Sequence, residues 1–288
     1  MDKREKGLRM LDSLTAYGIS LVLSVICTVL LYRAIGVYAC YIGYALTVAT
    51  VIFISRRTRI KMAAVFSFNK PSVAQTIGTA FILAGALLAS LPFILLMQII
   101  LPGFAGSGFY FSTALDADNA KYLHIALVIL FSSFSECLLF NGYIRIHAVK
   151  VMRLPLAVLM TGAAFALFRH DFYLITPLII CGSAAAYVRE RSNGMTLPLI
   201  MHILINTVTL SFVDAAASDP GALFGVKLGA VNVIGMTMIL LGTALPVTVI
   251  GMRIMGDFKK RPVFEKAAVL VAAILLIASG YAVSHLGQ

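Results

Sequence analysis

The sequence predicts an all-α, polytopic helical integral membrane protein of about nine transmembrane helices. Three observations carry this expectation. The chain is 60% hydrophobic and only 12% charged, against roughly 25% charged residues in soluble domains. Its apolar runs are long and numerous, close to the ~20 residues that a helix needs to cross a bilayer. The runs do not alternate polar with apolar, as the strands of a membrane β-barrel would.

The spans fall at about 14–33, 36–55, 77–101, 122–144, 154–169, 174–188, 196–213, 229–252 and 267–284. The first follows Met-Asp-Lys-Arg-Glu-Lys, a start resembling a signal peptide. Its run is too long for an ordinary signal core and shows no small-x-small cleavage site, so an uncleaved first span is expected. The second ends at Arg56-Arg57, and the third begins after Pro71. The fourth holds a carboxylate, Glu136, deep in apolar sequence. The fifth and sixth are short, suited to tilted or partly re-entrant helices. The seventh carries His202 and Asn206, and the last two contain no charged residue.

Charge sets the orientation. With the N-terminus inside, 19 of the 23 Lys and Arg residues fall in the inner segments 1–13, 56–75, 145–153, 189–194 and 253–266. Asp116, Asp118, Asp214 and Asp219 fall on the outer side. This is the positive-inside pattern, N-in and C-out. The net charge of +11 therefore reports topology and contact with anionic lipid, not nucleic-acid binding. The basic loop 56–75 could lie on the inner leaflet, although fixing topology suffices to explain it. Pro102, Gly103, Gly106 and Gly108 punctuate the loop 102–121, and Phe109-Tyr-Phe fits an interfacial belt. Cys27, Cys40, Cys137 and Cys181 form no CxxC pair and read as reduced apolar fillers. Three units follow: N-terminal helices with a basic inner loop over 1–121, a core carrying the chemistry over 122–213, and C-terminal helices over 214–288.

The chemistry gathers in that core. An ionisable group in hydrocarbon costs at least ~2.5–3.5 kcal/mol, so it normally faces a protein interior and has a function. Glu136 lies within Phe134-Ser-Glu-Cys-Leu-Leu-Phe-Asn-Gly142. His202 and Asn206, four apart on a helix, project from one face. His170 ends the fifth span in Phe168-Arg-His-Asp171. Taken singly, a His or Asn in a membrane helix is as readily interhelical glue. Together, an acid, two histidines and an amide are parts enough to activate water. They could also hold Zn²⁺ through Glu136, His170 and His202, although Asn is a poor zinc ligand and no HExxH is present.

The order Glu136, His170, His202-x-x-x-Asn206 over residues 120–213 resembles the CAAX-protease and bacteriocin-processing (CPBP, Abi) family. That family's pattern is EExxxR, often ending Phe-Arg-Gly, then FxxxH, then HxxxN or HxxxD. Aligning Phe140-Asn-Gly142 with Phe-Arg-Gly puts Glu136 at the first glutamate, Cys137 at the second and Asn141 at the arginine. Phe165 lies five residues before His170, where four is usual, and the third motif is intact.

The resemblance implies an intramembrane endopeptidase for a peptide, or a prenylated or otherwise hydrophobic peptide, in or at the membrane. In it Glu136 is the base, His170 helps hold the water, and His202 and Asn206 polarise the scissile carbonyl. No cofactor is required, and the expected location is the cell membrane of a bacterium. Losing the arginine at Asn141 should shift activity to higher pH or weaken it, unless Arg145 or Arg169 reaches in. Straight spans, at 1.5 Å per residue, would leave His170 roughly 15–20 Å from Glu136 and His202.

Two rivals stand beside this reading. A catalytically weak or inactive relative would act as a membrane scaffold or immunity protein. A proton-coupled transporter would use Glu136 as its ion site, but matched, interrupted repeats are not visible in the sequence.

Overall fold

The computed structural model describes residues 3–36, 38–100, 120–218, 230–256 and 263–286. All regular structure among these residues is helical. Helix α1 (Lys3–Ile26) is extended by a π-helical turn, Cys27–Leu31, and a last α-helical turn, Tyr32–Ile35. Then follow α2 (Tyr38–Arg57), the single turn α3 (Met62–Val65), α4 (Val73–Ile100) and α5 (Ala120–Glu136). A π-helical segment, Cys137–Ile144, joins α5 to α6 (Arg145–Val151). The rest are α7 (Leu154–Phe168), α8 (Ile175–Ser192), α9 (Thr196–Ser218), α10 (Ala230–Ile254) and α11 (Val263–Leu286).

The nine apolar segments of the sequence coincide with these helices, but not all have the dimensions of a membrane span. Five stretches are long and apolar enough to cross: Tyr38–Arg57, Val73–Met97, Tyr122–Val151, Val233–Ile254 and Ala267–Ser284. Met10–Ile26, Leu154–Phe168 and Thr196–Thr209 are shorter apolar helices. Most of the loop 102–121, with its aromatics, lies outside the described residues, as do Asp219 and Lys227.

The helices turn apolar side chains outward. Leu270, Val271, Ile274 and Leu275 of α11 are all more than half exposed, a surface that water would not tolerate but lipid accepts. Because lipid is as apolar as leucine, helix association must come from close packing of small residues. Gly85 of α4 lies against Thr248 of α10, Gly251 of α10 against Gly78 and Ile82 of α4, and Gly235 of α10 against Gly280 and Ser284 of α11. Between α7 and α8 the same device joins Gly162, against Ile179 and Ser183, to Gly182, against Phe165. The strongest packing thus links α11 to α10, α10 to α4, α4 to α8 and α8 to α7.

The centre of the molecule is the π-helical segment. All eight of its residues are buried, and α1, α2, α3, α7, α8 and α9 surround it. Gly142 permits the close approach of α3, since a Cβ there would meet Val65 at 3.0 Å. The basic loop 56–75 is fastened near it: Arg189 Nη2 donates to Ser67 Oγ (2.6 Å), Met195 N to Ser67 O (2.7 Å), and Thr196 Oγ1 to Asn69 O (2.9 Å). Here the basic loop has a packing role that its charge alone did not reveal. All four cysteines are free, and Cys27, Cys137 and Cys181 are buried.

Candidate active site

Glu136 ends α5 and is 1% exposed. Both its oxygens are held. Arg169 Nη1 donates to Oε1 at 2.7 Å, and Asn206 Nδ2 donates to Oε2 at 3.3 Å. His202 Nδ1 faces Oε2 at 3.9 Å. The Asn206 amide also donates toward Ser133 Oγ (2.9 Å) and Ser132 Oγ (3.2 Å), and its own oxygen accepts from Arg169 Nη2 at 3.0 Å. One acid, one guanidinium, one imidazole and one amide thus meet inside the helical core.

Local helix geometry explains why these groups converge. His202 and Asn206 share a face of α9, one turn apart. Asn141 follows Glu136 by five residues, which in an α-helix would place it roughly 140° around the axis. The π-helical turn, with its i→i+5 bonding, returns the fifth residue to the same side. Asn141 therefore reaches His202, its Nδ2 lying 2.8 Å from Nε2. With that amide N–H donating to Nε2, the ring proton sits on Nδ1, facing Glu136. His202 Nδ1 has no hydrogen-bond partner in the protein, Glu136 Oε2 at 3.9 Å being its facing acceptor. The ring is wedged edge-on against Phe165, centroids 5.0 Å apart, and Phe165 packs in turn on Phe140 at 5.5 Å.

Among the expected residues, Glu136, His202 and Asn206 come together and His170 does not join them. It follows the C-cap of α7 with φ 54°, in the left-handed position that ends many helices. That turn points its ring outward, where it is exposed and stacks on Phe168. The residue before it enters the site instead. Arg169 is still at φ −75°, so its side chain continues along the inner face of α7. The separation expected between the fifth span and Glu136 is closed by this side chain. The following loop is fixed by Asp171, whose Oδ1 accepts from the backbone N–H of Tyr173 (3.0 Å) and Leu174 (3.2 Å) ahead of α8.

The sequence held a signal for Arg169 that the search for a histidine obscured. Counting the usual four residues from Phe165 reaches Arg169, and Phe165 is the residue packed on His202. The condition attached to the missing arginine at Asn141 is also met. Arg169 reaches Glu136, while Arg145 is committed to an ion pair with Glu190.

Residues 118–208 match the family model described as Rce1-like, type II CAAX prenyl endopeptidase. The segment that builds this site is similar to that family. The match takes in Glu136, Arg169, His202 and Asn206 together, the segment in which the sequence motifs lie. No curated protein and no solved structure matches the chain.

A cavity of about 440 Å³ shares α9 with the site, although none of Glu136, Arg169, His202 and Asn206 lines it. It is bounded by Leu87, Leu91 and Ile94 of α4, by Leu178 of α8, and by Ile205 and Val208 of α9. Its lining is almost wholly apolar, and Ile205 precedes Asn206 directly.

Proposed function

We propose that the protein is an intramembrane endopeptidase of the CAAX type, acting on a hydrophobic or prenylated peptide. The observation that carries this reading is the Glu136 carboxylate, buried and held at both oxygens, with His202 Nδ1 at 3.9 Å. A water hydrogen-bonded at ~2.8 Å to both Oε2 and Nδ1 would subtend an angle of roughly 90°. That places one nucleophile between a base and a donor.

The reaction then balances as follows. Glu136 takes a proton from the water, and its oxygen attacks the scissile carbonyl carbon. The carbonyl oxygen becomes an oxyanion facing His202 Nδ1–H. Asn206 Nδ2, which donates toward two serine hydroxyls and Glu136 Oε2, would exchange one of these acceptors for the same oxyanion. Glu136 passes its proton to the departing nitrogen as the C–N bond breaks. Donors aimed at developing charge are usually the largest single contribution to such catalysis.

The apolar cavity shares α9 with the site, and an apolar lining of that kind supports a hydrophobic substrate. The bilayer is the setting, and the cell membrane of a bacterium stays our reading of its location. We write the mechanism without a metal. His170 lies outside the cluster, and Arg169 already donates to Glu136 Oε1. Among the described residues no three His, Cys, Asp or Glu side chains are grouped to hold an ion. The donor set therefore does not suit Zn²⁺.

The test compares membranes holding wild-type protein with membranes holding Glu136→Gln at matched expression. New peptide termini are read by mass spectrometry from pH 6 to 9. Termini that vanish in the variant support the peptidase and name its substrates. Identical profiles, with the variant equally stable, would leave the scaffold reading in its place.

A further inference from the structure

We propose that Arg169 is the positioning residue of this site, aligning Glu136 and Asn206 for the reaction; the assignment rests on the peptidase reading above. The guanidinium divides its two terminal nitrogens between two partners, Nη1 to Glu136 Oε1 (2.7 Å) and Nη2 to Asn206 Oδ1 (3.0 Å). A guanidinium only donates, so it compels the Asn206 amide to face it with oxygen. The amide nitrogen is thereby turned toward Glu136 Oε2 (3.3 Å) and the two serines. One fork thus fixes the carboxylate plane and the amide plane together. It leaves Oε2 and Nδ2 on the side where His202 Nδ1 stands.

Charge points the same way. Glu136 is fully buried, and a buried carboxylate without a partner is strongly destabilising. Of the neighbouring cations, Arg145 is paired with Glu190, and Arg189 turns to Ser67 and Ala64. Asn141 occupies the place where the resemblance expects an arginine, and it is spent on His202. The cation therefore comes from the end of α7. Its backbone is set there by the left-handed turn at His170 and by the loop that Asp171 holds. Besides Arg169, the charged or titratable groups facing Glu136 are His202 of α9, Cys137 of the π-helical segment and Tyr44 of α2.

Shape as well as charge is required. A lysine ammonium is a point charge and cannot reproduce a planar fork spanning two acceptors. The experiment measures the Glu136-dependent termini from purified, reconstituted wild-type protein and from Arg169→Lys, Arg169→Gln and Arg169→Ala. Arg169→Lys should lose about 10–100-fold in kcat with KM little changed, and Arg169→Gln about 10²–10³-fold, the scale of a lost oxyanion-hole donor. The acid limb of the Arg169→Gln profile should move to higher pH, because removing the cation disfavours the carboxylate. Guanidinium ion added to Arg169→Ala should restore part of the rate.

Wild-type rates and an unmoved profile in Arg169→Gln, with Glu136→Gln inactive, would overturn the assignment and leave the peptidase standing. So would a folded Arg169→Ala that guanidinium does not rescue. If wild type yields no Glu136-dependent termini, the peptidase reading falls and the assignment with it. Should Arg169→Gln be too unstable to purify, the double variant Glu136→Gln/Arg169→Gln decides. Recovery of Tm identifies the stranded carboxylate as the cause, and no recovery refutes the pairing.

Discussion

Replacing His170 by glycine should make the protein more stable and leave it active. His170 sits at φ 54° immediately after the C-cap of α7. The left-handed conformation costs a residue bearing Cβ about 1–2 kcal/mol, and glycine occupies it without that cost. Against this stands the entropy glycine surrenders on folding, roughly 0.5–1 kcal/mol. Taking central values of both, the net gain is about 0.5–1 kcal/mol. At ~2–4 °C per kcal/mol for chains approaching this size, Tm should rise by about 1–4 °C. His170→Ala, which keeps Cβ in the same turn, should give no such rise. Thermal unfolding in one detergent, beside the peptide-terminus assay, reads both quantities on each variant. Losing an acid–base group costs about 10²–10⁴-fold in rate, so the two roles are well separated. A His170→Gly protein that is stabilised but inactive would place the imidazole in the chemistry. One that is destabilised would show that the turn needs the stacked ring on Phe168 more than it needs a free φ.

Four further expectations concern the same site and the helices that hold it. Asn141→Ala strips His202 Nε2 of its partner; a buried unsatisfied group costs about 1–3 kcal/mol, so Tm and kcat should both fall. Asn141→Arg, a gain on the sequence alone, should also lower Tm, because the position is 1% exposed and Glu136 already has its cation. Gly162→Ala would drive a Cβ into Ile179 O at 2.6 Å and into Ser183 Oγ. Such overpacking costs about 1–3 kcal/mol, and since α7 carries Arg169, activity should decline with Tm in detergent. Extended treatment with EDTA should leave both the rate and Tm unchanged, whereas a ligated zinc would tie both to the metal.

The sequence disclosed those parts of the site that obey one rigid period. His202 and Asn206 are an i, i+4 pair on a straight helix, so their shared face could be written down from spacing. Glu136 announced itself by cost, being an acid amid apolar residues. What stayed hidden depended on breaks in the period. Asn141 joins the site only through a π-helical turn, and the composition of residues 137–144 gives no sign of one. His170 was chosen by chemistry, as an imidazole near a motif, while a change in φ at one residue decided that Arg169 would point inward. Among the helices, apolar length located each segment but could not say which are long enough to cross, since packed and lipid-facing helices are equally apolar.

These breaks share a physical consequence. Asn141 departs from the expected arginine, and Arg169 stands four residues after Phe165 where the pattern has a histidine. Either change alone leaves an electrostatic fault: an unpaired buried carboxylate from the first, a surplus buried cation from the second. With Cys137 also standing where the pattern has its second glutamate, one carboxylate and one cation remain, and Arg169 reaches Glu136. The segment that matches the Rce1-like model thus departs from the pattern at Cys137, Asn141 and Arg169 and still presents a paired, buried glutamate to His202.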